Sequence, residues 1–340
     1  MAKTWKDADI SLDPIKDQTV AVIGYGIQGD AQANNMKDSG LKVIVGLKEG
    51  SPTWQKAKDD GHEVMSVADA TKKADIVHIL IPDMVQAKVY KEEIGPNLSD
   101  GKALSFSHAA AIYWKWIDAP ENVDLIMVAP KGPGSKVRET YLQNFGTPSI
   151  VAVEQDKTGK AWDRTLGIAK AIGSARAGLI QTTFKEEVET DWFGEQADLC
   201  GGSASMVVNA FETLVEAGYQ PEMAYFECLH ELKLIVDLIN ESGVSGMRFS
   251  ISETAKWGDV KVGPKIIDSS VKKRMKAALK DIQDGKFAKA WVREYKGGYK
   301  QYNKLLKAGE KHNIEKVGSR LRSMMPWMQK RTVKGAQAAY

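Results

Sequence analysis

Cysteine is scarce in this chain: only Cys200 and Cys228 occur among 340 residues. Two thiols without metal-ligand spacing exclude a disulfide framework and a zinc ribbon, and they fit a reducing cytoplasm. Long apolar runs are also missing. The longest, such as 76–82 and 125–130, fall far short of the ~20 residues a membrane-spanning helix needs, so no membrane partner is expected. The opening Met1-Ala2-Lys3-Thr4-Trp5-Lys6-Asp7 lacks the apolar core of a secretion signal, and a cytoplasmic location is expected. Neither charge dominates. Lys plus Arg total 47 against 44 acids, a formal charge of +3, which gives neither the footprint of a nucleic-acid binder nor a polybasic membrane anchor. What is present is globular: 43% hydrophobic and 27% charged residues are values of a folded chain. The length allows two domains with sizeable cores.

The first half alternates short β-branched runs with amphipathic stretches. Strands are expected at 19–24 (TVAVIG), 42–47 (KVIVGL), 63–66, 75–82 (DIVHILIP), 103–108 (ALSFSH), 124–130 (DLIMVAP), 149–153 and 178–184. Near-continuous apolar strands separated by helices predict an α/β fold, a doubly wound parallel sheet of Rossmann type covered on both faces. From about Lys185 the texture becomes helical, with periodicities over 185–200, 204–217, 221–242 and 264–284. Gly201-Gly202, Gly218 and Gly243 sit where helix ends are expected, and Pro221 in a first turn. The expected division is 1–183 as a dinucleotide-binding domain and 184–328 as an all-α domain. The tail, 329–340, has little to bury and is expected to be mobile.

Gly24-Tyr25-Gly26-Ile27-Gln28-Gly29 is a full G-x-G-x-x-G between the first strand and the first helix. There the glycines let the backbone approach a pyrophosphate, and the helix N-terminus supplies N–H donors. The second strand ends in Lys48-Glu49-Gly50-Ser51-Pro52-Thr53. A cation with two hydroxyls, Ser51 and Thr53, suits a 2′-phosphate and favours NADP(H), whereas Glu49 turned inward would favour NAD. Three further strand ends suit the same edge: Asp83-Met84-Val85-Gln86, Ser107-His108 and Lys131-Gly132-Pro133-Gly134. Lys131, held between prolines and glycines, sits on a stiff, shaped loop.

The helical half carries two acid pairs at a spacing of four, Asp191 with Glu195 and Glu227 with Glu231. Residues so spaced share a helix face. On a helical wheel Glu227 and Glu231 fall beside Leu234, Ile235 and Leu238, opposite Glu222, His230, Lys233 and Asp237. Both glutamates therefore project from an apolar face, where bare carboxylates must be paired or bind a metal. Four carboxylates are hard oxygen ligands suited to Mg2+ or Mn2+. The residues alone predict a metal-assisted NADP oxidoreductase acting on a small, oxygen-rich substrate. Two alternatives stay open: a metal-free dehydrogenase of 3-hydroxyacid type using one Lys, and a catalytically silent NADP-binding regulator.

Together these motifs, with Glu189-Thr190-Asp191-Trp192-Phe193-Gly194-Glu195-Gln196, Gly218-Tyr219-Gln220-Pro221-Glu222, Glu227-Cys228-Leu229-His230-Glu231-Leu232-Lys233 and Ser250-Ile251-Ser252, resemble the short class of ketol-acid reductoisomerases. The resemblance runs from about residue 19 to 326. It implies conversion of 2-acetolactate or 2-aceto-2-hydroxybutyrate to 2,3-dihydroxy-3-methyl acids, in branched-chain amino-acid synthesis, with two Mg2+ and NADPH. It implies that Asp191 bridges both metals and Glu195 binds one. Glu227 and Glu231 are then supplied by the neighbouring subunit of a homodimer, itself free to assemble further. Ser252 contacts the substrate carboxylate, Lys131 serves proton transfer, and His108 stands near nicotinamide and substrate. A knotted, interlocked helical domain is implied as well. The chain departs from the family at Ile27 (commonly Ser), Asp30 (commonly His), Lys48 (often Arg) and Ala109-Ala110-Ala111-Ile112 (commonly Gly-Phe-Asn-Ile). The first removes a hydroxyl beside the pyrophosphate, and the last removes an aromatic ring and an amide near the nicotinamide.

Overall fold

The computed structural model describes residues 2–325 and Met328. The chain divides into two compact units between Val188 and Glu189, and the expected tail at 329–340 lies outside the described residues.

In the first unit, nine strands among the described residues form one sheet in the order β1-β9-β8-β7-β6-β5-β2-β3-β4. They are β1 (Thr4–Trp5), β2 (Thr19–Ile23), β3 (Lys42–Gly46), β4 (Glu63–Met65), β5 (Ile76–Ile79), β6 (Ala103–Phe106), β7 (Asp124–Pro130), β8 (Ser149–Gln155) and β9 (Leu179–Gln181). The central strands are buried along their length, which is why they read as unbroken apolar runs. Helices α1 (Ile27–Asp38), α2 (Trp54–Asp59), α3 (Val67–Lys73), α4 (Asp83–Val89), α5 (Ala110–Tyr113), α6 (Gly134–Leu142) and α7 (Ala161–Ala171) connect them. One core joins Val20, Val22, Met36, Ile76, Ile126 and Ile168.

The sheet is not purely parallel, which corrects the expectation. β8 runs antiparallel to β7, and the short β1, absent from the sequence reading, runs antiparallel to β9. The backbone N–H of Lys131 donates to the Pro148 carbonyl at 2.8 Å. The chain after α6 thus returns to the edge where β7 ends, and β8 starts from there in the reverse direction.

The second unit is helical. α8 (Phe184–Gly194) spans the division and is followed by α9 (Gly201–Glu216), α10 (Pro221–Tyr225), α11 (Leu232–Phe249), α12 (Glu253–Ile266), α13 (Ser269–Gln283), α14 (Lys286–Lys296), α15 (Lys300–Glu310) and α16 (Asn313–Ser323). A small core gathers Phe211, Ala224, Tyr225, Ile314, Val317 and Leu321. Three expectations change. Gly201-Gly202 open α9 instead of closing a helix; a Cβ on Gly202 would lie 2.1 Å from the Ala197 carbonyl. The stretch 221–242 is interrupted by a π turn, Phe226–His230, and α11 passes Gly243 as a kink (φ 72, ψ 176). The helix expected at 264–284 starts later, because Asp268 caps α13, accepting from the Ser270 N–H at 2.9 Å. Among the described residues no helix is long and apolar enough to cross a membrane.

Candidate active site

Strands β7, β6, β5 and β2 lie side by side and parallel, so the loops after them leave one edge of the sheet together. This is the edge where doubly wound folds bind ligands.

The glycine loop follows β2. A Cβ on Gly29 would lie 2.2 Å from the Gly24 carbonyl, and one on Gly134 2.2 Å from the Ile27 carbonyl. Both glycines are therefore required for close backbone approach, the second between the glycine loop and the Lys131 loop. Gly26 caps α1, and the N–H groups of Ile27, Gln28 and Gly29 form its unsatisfied first turn, a cradle that fits a pyrophosphate. Ile27, 72% exposed, stands at the rim. The Tyr25 side chain faces elsewhere. It is buried, donates to Asp60 Oδ2 at 2.7 Å and accepts from Asn34 Nδ2 at 2.8 Å. Burial, with Asp60 holding its proton, pushes the phenol far above its usual range. Only the backbone of Tyr25 is left for a ligand. Asp30 pairs with Lys56 at 2.5 Å.

At the end of β3, Lys48 and Glu49 are both exposed, and the Ser51 and Thr53 hydroxyls stand 3.1 Å apart. After β5, Asp83, Met84, Val85 and Gln86 form the first turn of α4. Gln86 is 4% exposed and donates to the Ile81 carbonyl at 2.9 Å, while its Oε1 is buried with no hydrogen-bond partner. Such an orphaned acceptor at the ligand edge fits a donor on a bound dinucleotide.

Beyond β6 and β7 the structure brings together His108, Lys131 and a residue the sequence reading missed, Glu187. The Glu187 side chain is 1% exposed. Its Oε1 accepts from His108 Nδ1 at 3.0 Å and lies 3.6 Å from Lys131 Nζ; its Oε2 accepts from the Ala109 N–H at 3.0 Å. A carboxylate only accepts, so His108 carries its proton on Nδ1. Asp83 Oδ2 lies 4.0 Å from Nε2. The Ala109–Ala111 departure leaves this arrangement intact, because Ala109 contributes its backbone. Glu187 precedes Asp191 by one turn on α8, so a stripe at 187, 191 and 195 was the available signal.

In the second unit, Asp191 is half-buried and Glu195 exposed, at the start of a π turn, Glu195–Leu199. Glu227 lies inside the π turn that precedes α11, and Glu231 immediately follows it. Each acid pair thus touches a helical irregularity of a kind frequent at functional sites. Glu227 and Glu231 are exposed in the single chain, as is the neighbouring Leu234 (54%), while Ile235 and Leu238 are half-buried. Their apolar face is only partly covered in a single chain. All four acids offer hard oxygen donors that fit Mg2+. Ser252 is exposed and caps α12, accepting from the Ala255 N–H at 3.2 Å.

The family described as acetohydroxy acid isomeroreductase, NADPH-binding domain, matches residues 14–178, and the ketol-acid reductoisomerase C-terminal domain matches 184–327. A ketol-acid reductoisomerase (NADP(+)) of Nitrosopumilus maritimus is 75% identical over 326 residues, covering 96% of this chain and 98% of that one. One from Leptospira biflexa is 56% identical over 333 residues, covering 97% and 100%. The solved NADH-preferring ketol-acid reductoisomerase from an uncultured archean superposes with a TM-score of 0.93 at 47% identity, covering 95% of this chain and 99% of that one. The chain belongs to the ketol-acid reductoisomerase family.

Proposed function

We propose that the protein is an NADPH- and Mg2+-dependent ketol-acid reductoisomerase of branched-chain amino-acid biosynthesis, located in the cytoplasm. It converts 2-acetolactate, or 2-aceto-2-hydroxybutyrate, to the 2,3-dihydroxy-3-methyl acid by alkyl migration and reduction. The observation that carries this reading is the buried Glu187 joining His108 and Lys131 at the ligand edge of the sheet, in a chain whose family membership spans both domains.

When bound, NADPH supplies hydride and two Mg2+ ions polarise the substrate's hydroxyl and ketone oxygens. Residues 1–183 hold the dinucleotide. The Gly24–Gly29 loop cradles its pyrophosphate, and Lys48, Ser51 and Thr53 take the 2′-phosphate. Asp83, Met84, Val85 and Gly134 line its path, and Gln86 offers its buried Oε1. Residues 184–328 serve metal, substrate and dimerisation. Asp191 and Glu195 hold the ions together with the partner subunit's Glu227 and Glu231, and Ser252 meets the substrate carboxylate. Glu187 fixes the His108 proton on Nδ1 and anchors the Lys131 ammonium, whose Nζ moves a proton during the migration.

The homodimer is supported by apolar surface that one chain leaves in water, including Phe249 (87% exposed) and Trp257 (65%). Covering the face of Glu227 and Glu231 would bring them into a shared site, and the knotted exchange of helices belongs to the same proposal.

The test is NADPH oxidation with acetolactate, with and without Mg2+. Turnover should vanish in EDTA and return with Mg2+. Glu227→Gln should keep NADPH binding and lose turnover. Full activity in EDTA, or an unimpaired Glu227→Gln enzyme, would refute the reading.

A further inference from the structure

The interior of the first unit contains polar side chains that the proposed reaction does not use. His78 on β5 is fully buried between apolar neighbours. Its Nε2 lies 2.9 Å from Gln32 Oε1 and its Nδ1 2.8 Å from Ser105 Oγ. Gln32, also fully buried, donates from Nε2 to Gln28 Oε1 at 3.0 Å and to Ser107 Oγ at 3.1 Å. Gln28 donates from Nε2 to the Gly132 carbonyl at 3.1 Å. One run of hydrogen bonds thus leads from the middle of the sheet to the residue after Lys131 and to the residue before His108.

One end fixes the direction of the run. The Gly132 carbonyl only accepts, so Gln28 turns Nε2 toward it and Oε1 toward Gln32. Gln32 must then give Nε2 to Gln28 and Ser107, which leaves Oε1 for His78, at 2.9 Å, with the Ser107 hydroxyl a longer second donor at 3.4 Å. His78 must donate from Nε2, its Nδ1 is bare, and the Ser105 hydroxyl donates to it. Reversing any amide would set two donors or two acceptors face to face. Burial lowers the His78 pKa to about 4, which keeps the ring neutral and the order intact at neutral pH. A buried network matched at every position rigidifies what it touches. Gly134 already meets the Ile27 carbonyl without space for a methyl group, and the Gln28 amide ties the Lys131 loop at Gly132, beside the bond from the Lys131 N–H to the Pro148 carbonyl.

We propose that His78 is a positioning residue: through Gln32 and Gln28 it holds the Gly132 carbonyl, and through Gln32 it holds Ser107, so that Lys131 and His108 keep a fixed separation. The proposal rests on the reading above that Lys131 and His108 serve the reacting end of the site. It assigns His78 no contact with substrate or dinucleotide.

The test uses the full-length enzyme. With 15N-labelled histidine, His78 should show a protonated Nε2 and a bare Nδ1; a protonated Nδ1 would overturn the ordered run. His78→Leu leaves Gln32 Oε1 only the longer contact from the Ser107 hydroxyl, at 3.4 Å, and should lower kcat about tenfold, with the KM for NADPH changed less than about twofold. His78→Gln, which keeps a donor at similar reach, should recover most of that loss. If His78→Leu does not fold, Ser105→Ala removes only the donor to Nδ1 and should lower kcat about threefold. Parental kcat in the folded variants, or an equal loss in His78→Leu and His78→Gln, would overturn the positioning role. A parent enzyme inactive on acetolactate would refute the proposed function instead, and the tautomer measurement would still decide the run.

Discussion

Replacing Glu187 by Gln perturbs the site while changing almost no volume. The Ala109 N–H can only donate, so the new amide must keep its oxygen there, at the position now 3.0 Å from that nitrogen. Its NH2 group then faces His108 Nδ1, where the carboxylate oxygen stood 3.0 Å away. Two donors would meet, so His108 must shift its proton to Nε2 or swing out of contact. Lys131 loses the anion 3.6 Å from its Nζ as well. A hydrogen bond to a charged group is worth roughly 1.5–3 kcal/mol, and losing about 3 kcal/mol in the transition state slows a reaction roughly a hundredfold. Glu187→Gln should therefore lower kcat by about that factor, with NADPH affinity nearly unchanged, since no proposed dinucleotide contact is touched.

The assay is steady-state turnover of acetolactate with NADPH and Mg2+, paired with NADPH binding by fluorescence and with the 15N signature of His108. A variant that turns over within about threefold of the parent while His108 keeps its proton on Nδ1 would refute the reasoning. A comparable loss carried by weaker NADPH binding would refute it too.

Gly134→Ala drives a methyl to 2.2 Å from the Ile27 carbonyl, so the Lys131 loop must separate from the glycine loop. NADPH should bind at least about tenfold more weakly, and parental affinity in a binding titration would contradict the contact. Lys48→Ala should weaken NADPH far more than NADH, as expected for loss of a partner of the 2′-phosphate; equal weakening by titration would remove Lys48 from that role. His78 also gives stability a pH dependence. Burial lowers its pKa from 6.5 to about 4, so the unfolded chain binds the extra proton first as pH falls. Its contribution is present above pH about 6.5 and is lost on acidification toward pH about 4, a total of about 3 kcal/mol. Denaturant unfolding across that window should be shallower in pH for His78→Gln than for the parent, and matching slopes would refute the assignment.

The sequence discloses what periodicity encodes and conceals what long-range packing decides. Apolar runs bounded by turns located the starts of the central strands to within one residue and their ends to within three. They could not give the direction of β8, because a run such as SIVAV is equally apolar read either way. Its reversal follows from where α6 returns the chain, beside Lys131. The π turns were hidden because one extra residue per turn leaves composition unchanged. The helical wheel set Glu227 and Glu231 beside Leu234 but could not foresee the π turn between them, nor say what completes a face that one chain covers only in part.

Glu187 marks the same limit most sharply. It sits among Glu186 and Glu189 in a stretch that reads as an acidic helix start, yet only Glu186 faces water. Glu186 is exposed and accepts a hydrogen bond from the Thr182 hydroxyl, whereas Glu187 and Glu189 are buried. The stripe at 187, 191 and 195 marks the position but supplies Glu187 with no partner. The selection comes from His108, 79 residues earlier in the chain, which the sheet delivers to the end of β6 with its Nδ1 toward α8. A buried carboxylate survives only where donors converge on it, so the strand ends determine which acid of the helix meets His108 and Lys131. The same logic runs through His78: an imidazole inside an apolar strand reads as an anomaly until Gln32, 46 residues away, supplies its acceptor. In this protein the polar residues that interrupt apolar elements are where distant parts of the site are held in register. Substitutions at these interruptions should therefore alter turnover before they alter the fold.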